Sequence, residues 1–273
     1  MKYLLFLLMP KELLSRMLGR FERWEHPKPL IEWLKRWFVN RYKLDMEEAE
    51  FPLESYKSLN HLFTRQLKAG LRPILSGQVH PCDGVITQCG PLDQGSLIQA
   101  KGWNYSASEL VGQKLGKDFE SGSFGTYYLC PTDYHRVHIP IGGQVVKVRH
   151  LVGKLWPVNE WSVQNVKSLF CRNERLVFEI HSPFGVLFMV MVGATNVGHI
   201  STRFVPDLVT NLSGDRKSKD FVLDPAVVVN PGDEAGIFQM GSTVILVCDS
   251  QLASKLRFDP GSTKMGEAIP SPL

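Results

Sequence analysis

From about residue 73 onward, short apolar runs alternate with glycine, proline and asparagine, and this pattern limits the available folds more than any other feature. Runs of this length between turn residues are typical of β-strands, and short helices are expected only near 106–113 and 161–169. We therefore predict an α+β fold: a mainly antiparallel β body over residues 73–273, behind an amphipathic helical region over residues 1–72. The expected strands cover residues 85–87, 124–129, 145–148, 176–180, 186–192, 221–229, 235–239 and 244–248.

The composition is that of an ordinary globular protein, with 273 residues of which 44% are apolar and 21% charged. The five cysteines are scattered and form no Cys-x-x-Cys pair. This argues against a disulfide framework and a structural zinc site, and it favours a reducing compartment. Residues 1–43 hold ten Lys and Arg against four Glu, so their net charge is +6, whereas that of the whole chain is +4. The remainder is slightly acidic, and we expect no nucleic-acid partner.

The N-terminal region contains two segments with helical periodicity. Residues 3–9 are apolar but too short to span a bilayer, and no signal-peptide cleavage site follows them. Residues 14–24 and 30–38 then carry apolar stripes flanked by Lys and Arg. Such stripes either pack on the protein core or lie at a membrane surface, with aromatic rings at the acyl boundary and basic groups against anionic headgroups. The three tryptophans and the positive charge favour peripheral or monotopic attachment to the cytoplasmic face of the cell membrane.

A Gly-Ser bond between two expected strands is the most informative local motif. Because Gly241 has no side chain, the Ser242 hydroxyl can approach the preceding carbonyl closely and attack its own backbone. An ordinary strand serine is the alternative. The tripeptide Gly-Ser-Thr at 241–243 recurs at 261–263 in a turn-rich stretch after Asp-Pro, where we expect Ser262 to be a solvated loop residue.

A base and an acid that could serve Ser242 lie in two other segments. His135 and His138 are three positions apart in the most polar stretch of an apolar neighbourhood, and histidine accepts and donates protons near neutral pH. Alternatively, one of them caps a turn and the other is exposed. Asp83 belongs to a common turn dipeptide, Asp-Gly, but as a third member of a triad it would fix the imidazole tautomer. The other histidines show no matching spacing, so no metal site is expected.

Together, these segments resemble the phosphatidylserine decarboxylases of the bacterial and mitochondrial type. The resemblance rests on Pro-Cys-Asp-Gly-Val-Ile at 81–86, Asp-Tyr-His-Arg-Val-His at 133–138 and Met-Gly-Ser-Thr at 240–243, and it extends through nearly the whole chain. The histidine block is highly specific, whereas Gly-Ser-Thr is specific only in this company. Met240 and Cys82 stand where the family usually has Leu and Ala, and these apolar exchanges leave the backbone chemistry intact.

The resemblance implies self-cleavage followed by decarboxylation. His138, held by Asp83, would deprotonate Ser242, whose oxygen would attack the Gly241 carbonyl. Elimination and loss of ammonia would then convert Ser242 into an N-terminal pyruvoyl group, an electron sink for the conversion of phosphatidylserine to phosphatidylethanolamine and CO2. The large chain (1–241) and the small chain (242–273) would remain a heterodimer, which could dimerise further. His135 is the candidate proton donor in decarboxylation. Alternatively, His138 serves both as the base in self-cleavage and as the proton donor in decarboxylation.

Three other functions would use some of the same residues. A lipid-cleaving serine hydrolase requires a Gly-x-Ser-x-Gly elbow, which the sequence lacks. A soluble pyruvoyl-dependent amino-acid decarboxylase leaves the N-terminal helices unexplained. In a membrane-surface binding module, the acid, the base and the serine would never meet. The candidate substrate-pocket residues are Trp103, Asn104, Trp156 and Asn159.

Overall fold

The computed structural model describes residues 23–75, 77–100, 103–195, 199–208, 210, 217–239 and 242–272. The apolar segment at 3–9 and nearly all of the first amphipathic helix (14–24) therefore lie outside the described residues, as does Gly241. Within the described part, the helices are α1 (Lys28–Tyr42), α2 (Leu59–Phe63), α3 (Ala107–Val111), α4 (Glu160–Asn165), α5 (Leu169–Arg172) and α6 (Ser250–Ala253), with single 3-10 turns at Leu53–Ser55 and Lys117–Phe119. None of the described helices is long and apolar enough to cross a membrane.

The strands of the described residues form an eight-stranded, a three-stranded and a two-stranded sheet. They are β1 (Gly84–Pro91), β2 (Ser96–Ala100), β3 (Trp103–Ser106), β4 (Ser123–Leu129), β5 (Arg136–His138), β6 (Gly143–Leu151), β7 (Arg175–Ser182), β8 (Gly185–Val192), β9 (Ile200–Thr202), β10 (Lys219–Val229), β11 (Glu234–Phe238), β12 (Ser242–Cys248) and β13 (Gly261–Thr263).

The large sheet has the order β10-β6-β7-β8-β12-β4-β1-β13, and every pair of neighbours is antiparallel. The small sheet has the order β5-β11-β9, and β2 pairs with β3. The eight predicted strands are all present, and the predicted helical stretches correspond to α3, α4 and α5. The α+β prediction with a mainly antiparallel body is thus confirmed.

The hydrophobic core sits on the central strands of the large sheet. β8 and β12 are continuous apolar runs, and their side chains from Leu187 to Val192 and from Val244 to Cys248 are all buried. A run that is buried throughout predicts a strand covered on both faces. β12 therefore lies deep in the molecule, between β4 and β8.

The N-terminal region has a second, smaller core. Its buried apolar residues are Phe38, Leu44, Ala49, Tyr56, Leu59, Leu62 and Phe63. The predicted stripe of α1 is divided between two faces: Phe38 is buried, whereas Trp33 and Trp37 are 60% and 46% exposed. Lys35 lies on the buried face because its ammonium group donates hydrogen bonds to the carbonyl oxygens of Leu53 (3.0 Å) and Tyr56 (2.6 Å).

One local prediction was wrong. The Gly-Ser-Thr tripeptide at 261–263 is not a loop but the edge strand β13, in which Ser262 pairs with Val85 of β1. The Ser262 side chain is exposed, as expected. Three residues at a sheet edge are too few to show an alternating pattern, so the strand depends on the partner that tertiary structure provides.

Candidate active site

The small sheet pairs the histidine block, residues 133–138, with β11, the strand that precedes β12 in the chain. β5 carries His138 and pairs with β11, and Glu234 lies opposite His138. β11 ends at Phe238, whose N–H donates to the His135 carbonyl oxygen at 3.0 Å. After three residues the chain enters the large sheet at Ser242, opposite Leu129 of β4. In the sequence, the Gly241–Ser242 bond joins this connection to β12.

His138 is held as a neutral base. Its Nδ1 lies 2.7 Å from the Gly232 carbonyl oxygen; because a carbonyl only accepts, Nδ1 carries the proton and Nε2 bears the lone pair. Tyr134 stacks on the ring, and its hydroxyl lies 3.2 Å from Nε2. Burial lowers the pKa of His138, more than the Gly232 hydrogen bond and the charges of Glu234 and Asp83 raise it. Its Nε2 is therefore able to take a proton at neutral pH.

His135 has the same tautomer in a more enclosed position. Its Nδ1 lies 2.8 Å from the Asp133 carbonyl oxygen, and its ring centroid is 3.9 Å from that of Phe63. The side chain is fully buried, and Nε2 has no hydrogen-bond partner among the described residues. Burial lowers the pKa of His135 to about 3. A neutral His135 must take up a proton at Nε2 before it can donate one from there.

Asp83 is a buried, ionised carboxylate at the start of β1. Oδ1 accepts hydrogen bonds from Arg72 Nε (3.1 Å) and the Met265 N–H (2.9 Å), and Oδ2 accepts from Arg72 Nη2 (2.6 Å) and Lys264 Nζ (3.3 Å). Burial raises the pKa of Asp83, but the hydrogen bonds and charges of these donors outweigh it, so the pKa is lowered overall. The glycine that follows is required here: Gly84 has φ +146°, and a Cβ would lie 2.5 Å from the Tyr128 carbonyl oxygen.

The expected contact between Asp83 and His138 is not formed among the described residues. Gly232 occupies the imidazole nitrogen that the carboxylate would hold, and four donors occupy the carboxylate. The two residues are nevertheless close in the fold, because the His138 N–H donates to the Pro81 carbonyl oxygen at 2.8 Å. Asp83 also raises the pKa of His138 through its charge. Any role of Asp83 toward His138 in this arrangement is therefore electrostatic.

A cavity of about 530 Å³ opens beside β12 at Thr243, the residue after Ser242. Its walls combine apolar and polar groups, as is typical of small-molecule sites. The lining residues are Thr87, Gln88, Ala100, Thr126, Tyr128, Val158, Glu160, Val163, Gln164, Phe170 and Thr243.

The four predicted pocket residues do not line this cavity. Trp156 is buried, and its backbone N–H donates to Asn173 Oδ1, while Asn159 caps α4. Trp103 and Asn104 lie on β3. Tyr128 was not among the predicted pocket residues, although the sequence holds a signal: side chains alternate along a strand, so two adjacent tyrosines must face opposite sides of β4. Tyr127 faces the core, and Tyr128 faces the cavity.

No group of three or more His, Cys, Asp or Glu in the described part of the chain is arranged to hold a metal ion. All five cysteines are free.

Comparisons with a family model and with single known sequences all find the same family. A sequence model of the family described as phosphatidylserine decarboxylase matches residues 59–270. A phosphatidylserine decarboxylase proenzyme of Anaeromyxobacter sp. is 42% identical over 258 residues, which cover 93% of this chain and 90% of the relative. The proenzymes of Shewanella loihica (40% over 255 residues, 90% of this chain and 89% of the relative) and Shewanella woodyi (40% over 248 residues, 88% and 86%) are similarly related.

Proposed function

The chain belongs to the phosphatidylserine decarboxylase family, and on this premise we propose that it makes its own catalytic group by cutting the bond between Gly241 and Ser242. The processed enzyme then converts phosphatidylserine to phosphatidylethanolamine and CO2. The observation that carries the proposal is the position of His138, a neutral base on β5. β5 pairs with β11, and only three residues separate the end of β11 from Ser242 at the start of β12. This arrangement supports proton removal from the Ser242 hydroxyl.

In the proposed cleavage, His138 takes the Ser242 proton at Nε2, and the Ser242 oxygen attacks the Gly241 carbonyl. An ester replaces the peptide bond as the Ser242 amine takes the proton from His138. Elimination of the Gly241 carboxylate then leaves a dehydroalanine at position 242, and hydrolysis of its imine tautomer by water releases ammonia and leaves a pyruvoyl group. The imidazolium that forms on His138 is stabilised by the Gly232 carbonyl and by the charge of Asp83, both of which raise the pKa of His138.

The position at the start of β12 fits such a group. Thr243 lines the 530 Å³ cavity and is itself buried, so the strand that would begin with the group lies at a space of the size of a small-molecule site. A pyruvoyl carbonyl supplies an electron sink for decarboxylation. His135 would then transfer the proton: its Nε2, which has no hydrogen-bond partner in the described part of the chain, accepts one from the substrate ammonium group and returns it to the α-carbon after CO2 leaves.

Retention of the small chain, 242–273, is supported by its contacts. β12 pairs with β4 on one side and with β8 on the other, and β13 pairs with β1. The Met265 N–H and the Lys264 ammonium both donate to Asp83, and the Ile269 N–H donates to the Gln78 carbonyl oxygen. After cleavage these contacts would join the two chains as a heterodimer.

Peripheral membrane attachment through α1 is part of the proposal. The outward face of the helix exposes Trp33 and Trp37 next to Arg36 and Arg41, and these side chains line a groove with Asn40. Indole rings with neighbouring basic groups suit the interface of an anionic bilayer such as the cytoplasmic leaflet. This face would bring the enzyme to a lipid substrate that remains in the membrane.

The test is intact mass spectrometry of the purified protein, with a carbonyl-reactive probe added to one aliquot. We expect two chains in place of the 30.9 kDa precursor, the smaller one consisting of residues 242–273 and carrying the probe. Ser242→Ala should remain one unlabelled chain. Ser262→Ala is the matched control, because it removes the exposed serine of the second Gly-Ser-Thr tripeptide, and it should process normally.

Two results would contradict the proposed function. The first is a cut at position 242 in the Ser242→Ala variant. The second is a correctly folded wild-type chain that stays whole and unlabelled.

A further inference from the structure

The N-terminal region contacts Asp83, a member of the proposed self-cleavage triad, through a partly buried arginine. Arg72 forms a two-point contact with Asp83, with Nε 3.1 Å from Oδ1 and Nη2 2.6 Å from Oδ2. The same guanidinium contacts Glu48, with Nη1 3.3 Å from Oε1 and Nη2 2.9 Å from Oε2. The Arg72 side chain is 9% exposed and that of Asp83 is 2% exposed. The fork of a guanidinium fixes the orientation of a carboxylate, which an ammonium group does not.

The remaining donors to Asp83 are weaker or more mobile. The Met265 N–H supplies one hydrogen bond at 2.9 Å. Lys264 approaches at 3.3 Å, but half of its side chain is exposed, so water competes with this contact. Arg72 thus supplies two of the four hydrogen bonds, and it is the less exposed of the two cationic side chains in direct contact with Asp83 among the described residues.

We infer that Arg72, braced by Glu48, is a positioning residue for self-cleavage that keeps the Asp83 carboxylate ionised and fixed beside His138. The inference rests on the proposed function. Arg72 acts through Asp83: the negative charge of Asp83 favours the imidazolium that His138 becomes when it takes the Ser242 proton. Glu48 contributes by holding the far side of the guanidinium.

Loss of Arg72 should change the pH dependence of cleavage. Burial by itself raises the pKa of Asp83, and Arg72 is the main group that opposes it. Without Arg72, Asp83 becomes protonated at a higher pH, and its charge is no longer available to His138. The other titratable or charged groups that interact with Asp83 are Lys264, Arg65, Cys82, Asp133, Tyr134, His135 and His138. The Arg72 variant leaves all of them in place.

The experiment compares the full-length chain with Arg72→Gln, Arg72→Lys and Glu48→Gln. Each chain is made by cell-free synthesis, and the appearance of the 242–273 chain is followed by mass spectrometry over a range of pH. We expect Arg72→Gln to cleave more slowly than the wild type as the pH falls and to recover as the pH rises, with its acid limb moved upward by about 1 to 3 pH units. Arg72→Lys should lie between this variant and the wild type. Glu48→Gln, which keeps Arg72 but weakens its support, should slow cleavage by less than Arg72→Gln and keep the wild-type pH dependence, because the loss of the Glu48 charge does not raise the pKa of Asp83.

Arg149→Gln is the matched control. Arg149 makes an equivalent two-point contact with Asp220, at 2.6 Å for both oxygens, on strands β6 and β10. It should cleave with the wild-type pH profile. The inference is overturned if folded Arg72→Gln keeps that profile, or if Arg72→Gln is slowed equally at every pH and Arg72→Lys restores nothing. A wild-type chain that does not cut at Ser242 would instead contradict the proposed function.

Discussion

At the scale of single residues, His135 and His138 share a tautomer but differ in what surrounds Nε2. In both, a backbone carbonyl holds Nδ1–H, and burial lowers the pKa, so both rings are neutral at physiological pH. His138 has the Tyr134 hydroxyl near Nε2, whereas the Nε2 of His135 is buried without a partner among the described residues. This difference fits the proposed roles, in which His138 takes the Ser242 proton during self-cleavage and His135 transfers a proton to the α-carbon during decarboxylation.

The division of roles predicts two different phenotypes. His138→Gln should remain an uncut precursor, because no base reaches the Ser242 hydroxyl. His135→Gln should cut normally but decarboxylate about 100- to 10,000-fold more slowly, the usual contribution of a general acid or base. Intact mass gives the extent of cleavage, and CO2 release from phosphatidylserine vesicles gives the activity. A folded His138→Gln variant that processes at the wild-type rate would show that another group removes the proton.

At the scale of elements, α1 separates a buried face from a face directed at solvent. Phe38 packs against Tyr42 and Phe63, at ring distances of 4.8 and 6.3 Å. Trp33 and Trp37 are 60% and 46% exposed, and Trp37 also touches Tyr42 at a ring distance of 6.3 Å. The helix therefore has an inner face that joins it to the protein and an outer apolar face that nothing in the described chain covers.

Replacing the two outer indoles should weaken membrane binding without weakening the fold. The exposed half of an indole is on the order of 100 Å², worth about 2.5 kcal/mol when it leaves water. Trp33→Ser combined with Trp37→Ser should therefore bind anionic vesicles at least roughly tenfold more weakly in a sedimentation assay, with an unchanged melting temperature. Phe184→Ser, which removes an exposed aromatic ring from the turn between β7 and β8, is the control and should bind normally. Equal binding by the double variant and the wild type would place the membrane contact elsewhere.

Elements with a strong local pattern were predictable from the sequence, and elements that depend on a distant partner were not. β8 and β12 are continuous apolar runs, so their sequence indicates a buried strand directly. β9 and β13 have three residues each and are strands only because β11 and β1 pair with them. The exposure of Trp33 and Trp37 could not be predicted from the sequence either, because an apolar stripe predicts an apolar face of the helix but not which part of that face the protein covers.

At the scale of the whole molecule, the N-terminal region is part of the site and not an appendage. Phe63 lies against the ring of His135, Arg65 donates to the Thr132 carbonyl oxygen, and Arg72 holds Asp83. The sequence motifs indicated the candidate groups for the chemistry, because those groups lie in short, dense blocks. The contacts between the N-terminal region and those blocks follow no spacing rule, since they form only when two hydrophobic cores pack together.

The last prediction concerns the two chains that self-cleavage would produce. Because β12 lies between β4 and β8 and all its side chains from Thr243 to Cys248 are buried, its hydrogen bonds and packing do not depend on the Gly241–Ser242 bond. Native mass spectrometry of the processed enzyme should therefore show both chains in one complex, and urea should release the 242–273 chain only as the β body unfolds. Leu246→Ala, which leaves a cavity in the centre of β12, should lower the stability of the complex by about 2–5 kcal/mol. Release of the small chain and unfolding of the β body should both move to the same lower urea concentration. Release of the small chain under native conditions, while the large chain keeps its circular dichroism spectrum, would contradict a shared core.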